Sequence, residues 1–144
     1  MKRFAQLFTA IDQSTKTNTK VAALADYFEQ AHDPDRLWTI ALFSGRRPKR
    51  AVTTTKLREW AAEQAGIPLW LFEESYSIVG DLAETIALVL PATVTHDDKP
   101  LSDWIKSLRE IYTQPEDARK DFVLKAWATL GGTERFIFNK LITG

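Results

Sequence analysis

The sequence predicts an all-α fold, a compact array of about nine short-to-medium helices with no significant sheet. Three features predict it. Apolar residues recur at the i, i+3, i+4, i+7 spacing of a helix in one segment after another. No segment alternates with period two for long enough to form a convincing strand, and Thr93-Val94-Thr95 is the only β-like scrap. Gly, Pro and cap residues punctuate the apolar runs, so the connections are short and the helices must pack on one another. No fixed-period repeat is visible, which argues against a solenoid.

Phe4, Leu7, Phe8 and Ile11 mark a first amphipathic helix, and the polar run from Asp12 to Asn18 a turn. Val21, Leu24, Ala25 and Phe28 repeat the spacing on a second helix. Asp33 is placed to cap a third, with Pro34 at its first position. Trp38, Ala41 and Leu42 form that helix's apolar face, and Ser44-Gly45 its stop. Helical spacing resumes from Thr53 to Ala65 with Leu57, Trp60 and Ala61, and Gly66 ends it. Ile67-Pro68 opens a short helix holding Trp70, Leu71, Phe72 and Tyr76. After Val79-Gly80, Asp81 caps the next, with Glu84 three residues on and Leu82, Ile86, Val89 and Leu90 buried. The run from Pro91 to Pro100 is polar and unpatterned. Leu101, Trp104, Ile105, Leu108 and Ile111 give another helix, Gln114-Pro115 starts one with Glu116 and Asp117 near its positive end, and Thr133 to Ile142 is the last.

Composition narrows the function. A chain of 144 residues fits one domain, and 44% hydrophobic content supplies a real core. No Cys is present, which removes thiolate chemistry and suits a reducing cytoplasm. Met1-Lys2-Arg3-Phe4-Ala5-Gln6 leads into an amphipathic segment, not the apolar run of a secretory signal. The longest apolar stretch, Thr85 to Pro91, is far too short to span a bilayer, so no membrane partner is expected. No phosphate-cradling Gly-rich loop precedes a Lys-Ser or Lys-Thr pair. His32 and His96 are 64 residues apart in sequence and neither has metal-ligand spacing with another ligand. Glu73-Glu74 and Asp97-Asp98 are neighbours in sequence and do not converge on one substrate atom. These absences describe a binding module with no catalytic residue, no metal and no cofactor of its own.

The candidate binding element is Ser44-Gly45-Arg46-Arg47-Pro48-Lys49-Arg50. With Lys56 and Arg58 it puts six positive charges and no negative one between Leu37 and Arg58, in a chain balanced at 19 basic and 19 acidic residues. Such a polarised surface suits a polyanion, although the same residues also suit a solvated loop. Four further places join it. Thr15, Lys16 and Lys20 lie at a helix start whose free N–H groups can seat a phosphate. Gly80 precedes another helix N-terminus. Thr133 follows Gly131-Gly132, with Arg135 nearby, and Asn139, Lys140 and Thr143 lie near the end with Gly144. No helix carries the row of Asn, Gln and Arg that reads base edges, so the expected binding is sequence-independent. With about four phosphates neutralised, log K should fall with a slope of roughly −3.6 against log salt. The competing expectation is a helical protein-interaction domain whose basic loop docks an acidic partner, with Trp70 or Trp104 exposed in an apolar patch.

The string Ser75-Tyr76-Ser77-Ile78-Val79-Gly80-Asp81-Leu82-Ala83-Glu84-Thr85-Ile86-Ala87-Leu88-Val89-Leu90-Pro91 resembles a signature of the N-terminal DNA-binding domain of ATP-dependent DNA ligases, particularly the bacterial ones. Leu42 to Arg50 resembles that domain's basic loop, and Phe138-Asn139-Lys140-Leu141-Ile142-Thr143-Gly144 the segment that closes it. The resemblance runs in order over nearly the whole chain. It implies an all-helical domain that grips the minor groove on both sides of a nick, in DNA repair, replication and recombination. It also implies adenylation and oligonucleotide-binding-fold domains as partners in the same parent chain, which would use ATP and Mg to join a 3′-hydroxyl to a 5′-phosphate. By position, Arg46, Arg47, Lys49 and Arg50 become backbone contacts, Gly80 a turn whose N–H faces phosphate, and Asn139, Lys140 and Thr143 groove neighbours. The family's nucleophile is the Lys of a Lys-x-Asp-Gly motif, which is absent from this sequence. The expectation is therefore residues 1–144 as a single domain of a longer ligase, monomeric, cytoplasmic, and unable to seal nicks alone.

Overall fold

Each apolar run with helical spacing folds as a helix in the computed structural model, which describes residues 1–93 and 98–143. Among these residues there are nine helices and no strand: α1 Lys2–Gln13, α2 Thr17–Gln30, α3 Asp33–Phe43, α4 Thr54–Ala65, α5 Leu69–Val79, α6 Leu82–Val89, α7 Leu101–Ile111, α8 Glu116–Thr129 and α9 Gly132–Thr143. The β-like scrap continuing into Val94-Thr95, together with His96, Asp97 and Gly144, lies outside the described residues. The chain divides into two compact units. The first comprises Met1–Arg47 and Asp98–Ser107, the second Pro48–Asp97 and Leu108–Gly144.

In the first unit α1 buries Phe4 and Leu7 against α2. The Phe4 ring meets the Tyr27 ring edge-on at 6.4 Å and the Phe43 ring at 5.9 Å. The inward stripe of α2 is rotated from the expected one. Val21 is 58% exposed and Ala25 is also exposed, while Tyr27 is buried. The reason is the Tyr27 hydroxyl, which sits 2.8 Å from the buried Thr39 hydroxyl. A tyrosine whose polar tip has a partner can enter the core, and helical spacing of purely apolar residues overlooks it. Burial raises the Tyr27 hydroxyl above its ordinary 10.0; the Thr39 hydrogen bond opposes this, Asp35 adds to it, and Arg3 opposes it.

Helix α3 begins one residue earlier than expected. His32 occupies the cap position, and Asp33 is already helical, its carboxylate accepting from Arg36 at 3.1 Å. Asp35 caps at longer range, its Oδ1 accepting the Ser102 N–H at 2.8 Å at the start of α7. Trp104 on α7 is buried, with the Lys99 ammonium 4.1 Å from its ring centre.

The second unit packs α4, α5, α6, α8 and α9 around Leu57, Phe72, Ile86, Val123 and Phe138, all at or near zero exposure. Thr53 caps α4 by accepting the Lys56 N–H at 3.3 Å, and Gly66, with φ +69°, ends it. Asp81 caps α6, accepting the Glu84 N–H at 2.9 Å. The Asn139 side chain ties three helices together: its Oδ1 accepts the Trp127 indole N–H at 2.7 Å, and its Nδ2 donates to the Ala83 carbonyl at 3.1 Å. Arg135 is buried as well. It donates to the carbonyls of Leu130, Pro91 and Trp127 and to the Thr93 hydroxyl, at 2.6–3.1 Å. Burial alone pulls its guanidinium below its ordinary value.

Candidate nucleic-acid interface

Helix α3 delivers the first half of the basic loop. Gly45 takes φ +83°, and the chain closes a Schellman turn: the Gly45 N–H donates to Leu42 at 3.1 Å and the Arg46 N–H to Ala41 at 2.8 Å. The left-handed conformation that glycine tolerates reverses the chain here. It leaves Arg46 and Arg47 exposed, with no hydrogen bond or ion pair to their side chains among the described residues. In the same unit Thr15 and Lys16 are exposed at the start of α2 and Lys20 is half-buried, again without ionic partners among the described residues. The Ser14 hydroxyl accepts the Lys16 N–H at 3.2 Å, and no side chain caps α2 itself. Its first N–H groups therefore face outward beside two ammonium groups, a combination that favours an anion.

The residues in the second unit are differently placed. The Lys49 ammonium stands 5.6 Å from the ring centre of exposed Tyr112. Arg50 donates to the Thr143 carbonyl at 2.8 Å, bringing together two residues 93 apart in sequence. Thr143 turns its hydroxyl back to the Asn139 carbonyl at 2.8 Å. Lys140, one turn earlier on α9, forms an ion pair with Asp81. Lys56 lies between Glu59 at 3.6 Å and Glu116 at 3.5 Å. The Glu116 and then the Glu59 charge raise the Lys56 ammonium above its ordinary 10.5. Burial pushes the Asp81 carboxyl up, but the hydrogen bonds from Lys140 and from the Glu84 N–H outweigh it and hold it below 3.8. Thr133 is exposed in the first turn of α9.

Three residues differ from their expected roles. Asn139 is 0% exposed with both ends of its amide paired inside the protein, so it is a core residue and not a groove neighbour. The Gly80 N–H does not face outward, because it donates to the Tyr76 carbonyl at 2.8 Å and closes α5. Gly80 is there for its φ of +82°. Arg135, expected beside Thr133 at one of the polyanion-facing places, is buried and belongs instead to the frame of this unit. One signal was available: Arg135, Phe138, Asn139 and Ile142 fall on one helical stripe, so burial of the polar pair follows from their spacing.

A helix end with guanidinium groups that have no partner among the described residues, and an uncapped helix start flanked by ammonium groups, suit a polyanion. The model of the DNA ligase N terminus family matches residues 1–144, and the chain belongs to that family. Its role is accordingly the DNA-binding one of a ligase's N-terminal domain. No curated protein and no solved structure matches the chain. No helix among the described residues is long and apolar enough to cross a membrane.

Proposed function

We propose that this domain holds nicked duplex DNA by its sugar-phosphate backbone along the minor groove, without reading sequence, on behalf of an ATP-dependent ligase. The observation that carries the reading is the pair Arg46 and Arg47, exposed and without ionic partners among the described residues, in a chain of the ligase family. A guanidinium already free of carboxylates meets a phosphate without first breaking a contact, and its fork matches the phosphate oxygens. Lys16 and Lys20 add charge at the start of α2, and Lys49 and Arg50 keep theirs while resting on Tyr112 and Thr143. Thr15 and Thr133 supply hydroxyls for phosphate oxygens, while Thr143, whose hydroxyl donates to the Asn139 carbonyl, serves by anchoring Arg50 through its own carbonyl. Lys56 and Lys140 serve the frame, since carboxylates already neutralise them. The lysine that is adenylated, and the ATP and Mg it needs, belong to the adenylation and oligonucleotide-binding-fold domains of the parent ligase. The chain works as a monomer in the bacterial cytoplasm, in repair, replication and recombination.

Fluorescence anisotropy against nicked and intact duplexes tests this. The expected log K falls against log salt with a slope of roughly −3.6 for about four phosphates. Arg46→Glu with Arg47→Glu should weaken binding at least about tenfold near 0.1 M salt and leave the fold intact. Binding absent at low salt, or unchanged by the double reversal, contradicts the reading. Of the two tryptophans expected to mark a protein-docking surface, Trp104 is 2% exposed and Trp70 is 66% exposed beside Leu71, on a helix that carries no cation.

A further inference from the structure

From Glu59 through Asp98 the sequence holds eight acidic residues and no Lys or Arg, the reverse of the window that precedes it. Four of the eight are ion-paired: Glu59 with Lys56, Glu63 with Lys120, Glu73 with Arg58, and Asp81 with Lys140. Glu74 and Glu84 are exposed and have no ion pair among the described residues. Both stand in rows of exposed apolar side chains. On α5, Trp70, Glu74 and Ile78 follow one another at i, i+4 and i+8, with Trp70 66% and Ile78 84% exposed. Leu71, also exposed, flanks the row at i−7 from Ile78. That row is about 12 Å long at 1.5 Å per residue. Helix α6 packs on α5 and repeats the pattern, with Glu84 one turn before Leu88, which is 66% exposed.

Single apolar residues on a surface need no explanation, but a Trp and an Ile aligned on one helical row mark a contact surface. The charge around them selects the partner. Duplex DNA is repelled by unpaired carboxylates. A second copy in two-fold contact would set Glu74 and Glu84 against themselves. We infer that the outer row of α5, with Glu84 and Leu88 of α6, docks an amphipathic segment of a partner protein whose apolar anchors are flanked by Lys or Arg. Trp70 and Ile78 supply the buried anchors, because aromatic and aliphatic side chains shielded by a charged rim carry most of such an interface. Glu74 and Glu84 fix register and speed encounter with a basic segment.

The test titrates the 144-residue chain into two labelled helix-forming peptides of about 15 residues, identical in their Leu and Ile stripe and flanked by Lys in one and Glu in the other. The Lys peptide should bind saturably, and the Glu peptide at least about tenfold more weakly. Trp70→Ala with Ile78→Ala should lower affinity for the Lys peptide at least about tenfold. Glu74→Lys with Glu84→Lys should lower it about fivefold and flatten its salt dependence. Both double variants should keep the parent's thermal melt, since the changed residues are exposed, and Trp70→Ala with Ile78→Ala, which changes no charge, should also keep its duplex DNA affinity. Equal binding of the two peptides, no binding of either, or wild-type affinity in both variants overturns the inference. Self-association in sedimentation that Ile78→Glu abolishes overturns it too, and assigns the row to a second copy.

Discussion

Arg46 and Arg47 stand two residues from Lys49 and Arg50, yet the two pairs are differently engaged. The first pair leaves the end of α3 with no partner for either guanidinium among the described residues. In the second pair, Lys49 rests near the Tyr112 ring and Arg50 spends one of its donors on the Thr143 carbonyl. Farther on, Lys56 and Lys140 are neutralised outright by Glu59 with Glu116 and by Asp81. Arg135 is the extreme case, a cation whose every donor group serves the frame. Positive charge along the sequence is therefore graded from free to structural. Only the free end of the scale adds its full charge to a polyanion, because a paired cation must first give up a carboxylate.

The widest break in this comparison comes from the structural end. Arg135→Met should cost about 3–5 kcal/mol in urea denaturation, since it removes four hydrogen bonds, to the Leu130, Pro91 and Trp127 carbonyls and the Thr93 hydroxyl. The surviving folded protein should bind DNA as the parent does. Asn139→Ala should cost about 2–3 kcal/mol by the same measurement, by leaving the Trp127 indole N–H unpaired. A variant of Asn139 that lost DNA affinity without losing stability would return it to the groove. The smallest effect belongs to the Asp81–Lys140 pair and is read by pH. The Asp81 carboxyl lies below 3.8 in the folded chain, so the pair's stabilisation is complete above that pH and is lost as the pH falls through the lower folded value. Melting temperatures of the parent and Lys140→Met should differ near about pH 6 and converge as the pH falls below the ordinary carboxyl value.

Helix existence is legible in the sequence because apolar spacing and cap chemistry agree in this chain. Gly66 and Asp81 do what their positions foretell. The inward face of α2 is not legible, because Tyr27 enters the core only through a hydroxyl partner 12 residues away in sequence. The candidate site divides in the same way. Gly45 and the exposure of Arg46 and Arg47 follow from a helix stop beside like charges that repel one another. Which of the other cations find carboxylates is a tertiary matter: Glu116 reaches Lys56 from far along the chain, and Asp81 reaches Lys140 from 59 positions away. Asn139 reads as a groove neighbour only through the family resemblance, whereas its helical register places it inward.

The central claim is that free cations, and not paired ones, hold the DNA. It is tested most directly by the salt dependence of duplex binding in two double variants, each of which removes two positive charges. Arg46→Ala with Arg47→Ala should reduce the slope of log K against log salt by about 1.8, the loss of two phosphate contacts. Lys56→Ala with Lys140→Ala should leave it within about 0.5 of the parent slope. Equal slopes in the two variants, or a larger loss in the second, would contradict the claim.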